Sequence, residues 1–163
     1  MSKAAAVPYE ITLLVRDTCL CLHLQRAARA LARRFDAALR PLRLTSGQYS
    51  MMMALNRPDP PTLGSVAGLL AMDRTTLTAA LKPLQRRSLV AVAPDRADGR
   101  TRRLRLTETG EALLARAVPI WRQAHAELDR LLPGGPESLR RDLQVLSRAG
   151  LVEEAAKPAL GGG

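Results

Sequence analysis

Residues 95–106 read DRADGRTRRLRL, and five of these twelve positions are arginine. A guanidinium is a permanent cation with planar, forked donors, so it can hold a phosphate group or the two acceptors of a guanine edge. A second set of such groups lies upstream in RTTLTAALK, where Arg74, Thr75, Thr76, Thr78 and Lys82 alternate with apolar positions. Other chemistry is poorly represented. The only histidines are His23 and His125, and the only cysteines are Cys19 and Cys21. No metal-ligand cluster, nucleophile elbow or phosphate-binding glycine loop can be assembled from them. The expectation is therefore a chain with no catalytic residues, no metal and no cofactor, working by binding.

The charge balance points to what is bound. Lys and Arg number 25 against 15 Asp and Glu, a formal net charge of +10 in 163 residues. An excess of this size implies a polyanionic partner, nucleic acid or an acidic membrane surface. The excess is uneven: residues 11–40 are net +4, residues 62–110 net +5, and residues 111–157 carry seven of each sign. No apolar run approaches the ~20 residues of a membrane span, and the N-terminus lacks the pattern of a signal peptide. Two cysteines are too few for a disulfide framework. A cytoplasmic location is expected, with 1–10 and 151–163, including the closing LGGG, as flexible termini.

The arginines need elements to carry them. Residues 11–40 contain no Pro or Gly and repeat apolar residues at Leu20, Leu24, Ala27, Leu31, Phe35 and Ala38, which predicts one long helix. Further helices are predicted over Ser46–Leu55, over TLGSVAGLLA with Thr62 as N-cap, and over RTTLTAALKPLQRRS after a tight break at Met72–Asp73. In the last, Leu77, Ala80, Leu81 and Leu84 share one face, turning Arg74, Thr75, Thr76, Thr78, Ala79 and Lys82 outward. Two short helices about a tight turn form a helix-turn-helix. LVAVAP and RRLRLT then alternate like strands around Asp98-Gly99, with Leu104 and Leu106 on one side and Arg103 and Arg105 on the other. Such a hairpin is a wing, and its charges stand out from the body. Helices at about 108–132 and 137–149 follow. The fold class is mainly α with a small β-hairpin wing. It comprises a winged helix-turn-helix lobe over 41–107 and helical dimerisation extensions at 11–40 and 108–150.

The order of LTSGQYSMMMAL, a helix-turn-helix ending in LQRRSLV, the wing Asp98-Gly99-Arg100 and LTETG resembles the MarR family of winged-helix transcriptional regulators, over about residues 11–150. The resemblance implies a homodimer with interlocked outer helices on a pseudo-palindromic double-stranded operator, usually repressing until a ligand or oxidant intervenes. It implies that Asp98 orients Arg100 into the minor groove, where negative potential is concentrated. Arg96, Arg102 and Arg103 are then expected on phosphates. The outward residues of the second helix are expected on base edges in the major groove, arginine on guanine and threonine on bases or the thymine methyl. Two positions depart from the family. Ser88 stands where glycine usually ends the recognition helix and must bear any left-handed conformation itself. Pro83 interrupts that helix, removing a backbone bond and inviting a kink.

Control is expected from a small aromatic effector or from an organic hydroperoxide acting on a thiol. On one helix Cys19 and Cys21 lie about 200° apart around the axis, unsuited to a mutual disulfide. Cys21 is expected on the apolar stripe, and Cys19 beside Arg16, His23 and Arg26, whose charge favours a thiolate. Counted back from Leu44-Thr45, Cys21 falls at the reactive position of the family's hydroperoxide-sensing branch, though Gln25 stands where that branch has tyrosine. The rival reading is a sequence-independent architectural DNA-binding protein, which would also be basic but would carry intercalating wedges or broad basic tails. A protein-interaction module on a winged-helix scaffold fits the arginine-rich wing less well.

Overall fold

The computed structural model describes residues 6–95 and 97–155. They divide into a first unit ending at Trp121 and a second beginning at Arg122. Of the segments expected to be flexible termini, 1–5 and 156–163 lie outside the described residues, whereas 9–10 and 151–155 are helical and belong to the first and last helices.

Instead of one helix over 11–40, two form: α1 (Tyr9–Thr18) and α2 (Leu20–Leu39). Cys19 separates them with extended torsions, φ −71° and ψ 107°. No Pro or Gly marks the break, so periodicity alone passes over it. Local polar groups take up the loosened backbone. The Thr18 hydroxyl donates to the Leu14 carbonyl at 2.7 Å, and His23 Nε2 lies 3.3 Å from the Asp17 carbonyl. A single 3-10 turn, Arg40–Leu42, follows and ends at Arg43 in the left-handed region, φ 55°. Arg87 fastens this turn by donating to the carbonyls of Arg43 at 2.6 Å and Leu42 at 3.3 Å.

Helix α3 (Ser46–Leu55) opens with a capping box between Thr45 and Gln48, which satisfies two otherwise orphaned N–H groups. It buries Tyr49, Met51, Met52, Ala54 and Leu55, the mark of a helix covered on several sides. Helix α4 (Leu63–Leu69) takes its cap from Thr62, and α5 (Arg74–Arg86) takes its cap from Asp73. Pro83 stands inside α5, which runs on past it to Arg86. Ser88 does occupy the left-handed region, φ 54°. Its N–H reaches the Gln85 carbonyl at 2.8 Å while Leu89 N–H reaches Leu84 at 2.9 Å. That closure is the one glycine normally serves.

Strands β1 (Val90–Pro94) and β2 (Arg102–Leu106) pair antiparallel with Val90 opposite Leu106 and Val92 opposite Leu104. Thr62 bridges to Arg103 on the free side of β2, where Leu104 N–H donates to the Pro61 carbonyl at 2.9 Å. The alternation reads as expected: Leu104 and Leu106 are buried, Arg105 exposed. Thr107 caps α6 (Glu108–Asp129) through Gly110 N–H at 3.0 Å and donates its hydroxyl to the Ser88 carbonyl at 2.6 Å. Gly110 is required there, because a Cβ would collide with the Leu89 carbonyl oxygen.

The core of the first unit centres on Leu39, Met52, Val66, Leu77, Leu84 and Leu104. Leu114 and Ala117 of α6 belong to it, and Trp121 stacks on Tyr49 with ring centroids 6.1 Å apart. This part of α6, which the sequence assigns to dimerisation, thus serves the lobe itself. In the second unit the end of α6 is followed by α7 (Pro136–Ala155), entered through Gly135 at φ 73°. Arg140 bonds Glu137 and, at 3.3 Å, Asp129. Leu131, Leu139, Leu143, Val145 and Leu146 of this unit are exposed.

Candidate nucleic-acid interface

The outward side of α5 is polar because its inward side is fully committed. Leu77, Leu81 and Leu84 are buried, whereas Arg74, Thr75, Thr76, Thr78, Ala79 and Lys82 are exposed. The first turn is rigidly set. Asp73 accepts from Thr76 N–H at 2.7 Å and from the Thr76 hydroxyl at 2.5 Å. These bonds, the hydroxyl's first, hold the Asp73 carboxyl below its ordinary pKa. Thr78 donates its hydroxyl to the Arg74 carbonyl at 2.7 Å. Thr76 and Thr78 therefore keep acceptor lone pairs and methyl groups for a ligand, while Thr75 retains an uncommitted hydroxyl among the described residues.

The wing divides its polar groups between shaping the loop and facing outward. Asp98 accepts from Arg100 N–H at 3.0 Å and the Thr101 hydroxyl at 2.8 Å. Its carboxylate orders the backbone that carries Arg100; no bond from it to the Arg100 guanidinium is formed. Gly99 does not use positive φ, so the tip is not one of the mirror-image hairpin turns. Arg100 and Arg102 are exposed. Arg103 differs from the expected phosphate contact. Its Nε donates to Asp95, and a second guanidinium nitrogen donates to the Pro60 carbonyl at 2.8 Å. It braces the wing root against the segment before α4. Asp95, absent from the sequence-based site, also accepts from Ala97 N–H at 2.7 Å, and the Arg103 bond is foremost in holding its pKa down. An acid diagonal to an arginine across a hairpin was the available signal. Arg96 lies outside the described residues.

The thiols are arranged differently from the expected stripe. Cys19 is partly buried at the helix break and Cys21 is exposed. Gln25 donates to Cys21 Sγ at 3.3 Å and receives Arg29 at 3.5 Å. His23 lies with Arg26, Arg29 and Arg33 along a shallow basic recess on α2. Among the described residues no three His, Cys, Asp or Glu groups gather to hold a metal, and no helix is long and apolar enough to cross a membrane.

No family model matches the chain. It is 35% identical over 80 residues to the transcriptional repressor NicR of Pseudomonas putida, 49% of this chain and 51% of that repressor. The chain thus spans about half the length of this curated relative. It is 29% identical over 101 residues to the organic hydroperoxide resistance transcriptional regulator of Bacillus subtilis, 62% of this chain and 69% of that one. Among solved structures it is similar to the M. tuberculosis transcriptional regulator MosR in complex with DNA. That similarity has a TM-score of 0.76 and 36% identity, covering 82% of this chain and 97% of MosR. A variant of MarR from E. coli complexed with operator DNA shares the fold at a TM-score of 0.73 and 21% identity, over 82% of this chain and 97% of that one.

Proposed function

Because the chain belongs to the MarR family of winged-helix transcriptional regulators, we propose that it is a cytoplasmic, sequence-specific repressor binding a pseudo-palindromic operator as a homodimer. The observation that carries this is the joint outward display, on one lobe, of the polar face of α5 and the arginines of the wing. Helix α5 enters the major groove, with Thr75, Thr76, Thr78 and Lys82 toward base edges. The wing brings Arg100 to the adjacent minor groove, and Arg102 reaches a phosphate. The homodimer is supported by apolar residues that one chain leaves uncovered, Leu20, Leu24 and Leu31 on α2 among them. The test is selection from a randomised duplex pool. Enrichment of an inverted repeat supports the reading, and indifferent binding of all sequences favours an architectural role instead.

Release follows either from a small aromatic effector or from oxidation of Cys21. The second route is favoured by the exposure of Cys21 and by the hydrogen bond that Gln25 donates to its Sγ. With no third cysteine in the chain, oxidation passes through sulfenic acid, a small-thiol adduct or a bond to the other subunit. Cys21→Ser is expected to keep operator DNA under organic hydroperoxide while the wild type releases it. Retention by both leaves the small-molecule route.

A further inference from the structure

Three arginines from two separate elements surround one recess. Arg74, in the first turn of α5, meets Arg100 and Arg102 of the wing around a cavity of about 230 Å3 walled also by Thr62, Gly64 and Thr101. No carboxylate lines it. Among the described residues none of the three guanidiniums has an ion-pair partner. The two hydroxyls are already engaged, Thr62 accepting from Ser65 N–H at 3.1 Å and Thr101 donating to Asp98 at 2.8 Å. The recess therefore offers guanidinium donors and positive charge, and an anion seated there relieves their mutual repulsion.

Gly64 leaves room for the Arg74 guanidinium. A Cβ at that position would stand 3.1 Å from an Arg74 guanidinium nitrogen, tighter than ordinary van der Waals contact. The guanidinium thus lies back over the glycine of α4, on the wing side of the recognition helix. The geometry of a duplex gives that place a meaning. Neighbouring major and minor grooves are separated by one sugar–phosphate strand. A helix in one groove and a wing in the other must straddle that strand, so the surface between them meets phosphate oxygens and not base edges. The space suits such an occupant: liquid water takes about 30 Å3 per molecule, which leaves room for a phosphodiester and a few waters.

Building on the duplex-binding reading above, we propose that Arg74 and Arg102 seat a single backbone phosphodiester, while Arg100, at the rim of the same recess, passes on into the minor groove. Arg74 is thereby a clamp that sets register and does not read guanine. This reverses the role that its outward position on a recognition helix suggests.

The test uses full-length protein, a duplex that the wild type selects from a randomised pool, and a scrambled duplex of equal composition. Arg74→Ala is expected to weaken both duplexes by the same factor, about tenfold, the usual worth of one hydrogen bond to a charged group. The slope of log affinity against log salt should fall by about 1. Base preference in a repeated selection should be unchanged. Neutral methylphosphonate linkages scanned along the selected duplex should reveal one position that weakens wild type but no longer weakens Arg74→Ala or Arg102→Ala. Loss of preference at a defined base pair, with scrambled binding intact, overturns the clamp and restores base reading. A free anion as occupant predicts something else: exchanging chloride for inorganic phosphate at equal ionic strength alters wild-type binding but not Arg74→Ala, and the scan finds no shared position. That result also overturns the proposal. If wild type binds no duplex at low salt, the duplex-binding reading itself has failed, which the variants would not have revealed.

Discussion

Helices α5 and α2 both carry apolar residues along one face, yet the chain treats them in opposite ways. In α5 Leu77, Leu81 and Leu84 are 0–2% exposed, closed in by the rest of the lobe. In α2 Leu20, Leu24 and Leu31 remain 66%, 36% and 42% exposed. An amphipathic pattern states that a face is to be covered, but not by what. For α5 the cover is within the chain, and the opposite face is freed for a ligand. For α2 no described part of the chain supplies it, and a second copy is the proposed cover. The polar sides differ as well: α5 presents Arg74, threonines and Lys82, whereas α2 presents the basic recess of Arg26, Arg29 and Arg33 beside His23.

The contrast can be broken most forcefully at its buried end. Leu77→Ala should destabilise the protein by about 3 kcal/mol, within the usual range for emptying a leucine-sized core site, as read by guanidinium denaturation. A loss below about 1 kcal/mol would mean that the lobe is not anchored there. At the exposed end, Leu24→Asp combined with Leu31→Asp should leave helix content largely intact while shifting sedimentation at micromolar concentration from dimer to monomer. An unchanged dimer would transfer the interface elsewhere, to the exposed leucines of α7 for instance.

The polar ends sharpen the comparison with smaller effects. Arg100→Ala should cost about 1–3 kcal/mol of discrimination, concentrated on A·T-rich positions flanking each half-site. Arg102→Ala should weaken all sequences alike and lower the salt slope by about 1. Identical, sequence-blind losses in both variants would dissolve the distinction between wing tip and strand.

The cap of α5 makes a pH-dependent contribution. The folded Asp73 carboxyl lies below its ordinary value, so its contribution to stability is complete above the unfolded value of about 3.9 and is lost as pH falls through the folded one. Asp73→Asn preserves a capping oxygen without the titration. The advantage of wild type over this variant in denaturation should shrink as pH falls from about 6 to 3, and a constant gap would argue against the assigned cause.

The smallest effect belongs to Ser88→Gly. Relief of a left-handed non-glycine, offset by the extra unfolded-state entropy of glycine, should stabilise by about 0.5 kcal/mol. Loss of stability would place the worth of Ser88 in its side chain.

Much of this was written in the chain. The leucines at 77, 81 and 84, the cap at Thr62 and the alternation through β2 each satisfy a local rule, and local rules survive into the fold because they bury apolar groups and pair backbone donors. Ser88 illustrates the same point from the other side: a helix must end in a left-handed residue there even when no glycine is supplied.

Tertiary structure decided matters that depend on residues far apart. Cys19 breaks a periodicity that continues through it, and side chains at 18 and 23 take up the Leu14 and Asp17 carbonyls beside the break. Trp121 joins the lobe through Tyr49, a partner more than seventy positions away in the sequence. Arg103 and Arg102 are neighbours of one type, yet Asp95 and the Pro60 carbonyl hold the first while the second stays exposed. Arg74 faces outward by helical arithmetic, but the missing Cβ of Gly64 lets it lie back toward the wing. Sequence fixes which side chains can carry charge or apolar surface. The packing of separate elements decides which of those charges remain free to meet a partner, because each bond made inside the chain is one withdrawn from its surface.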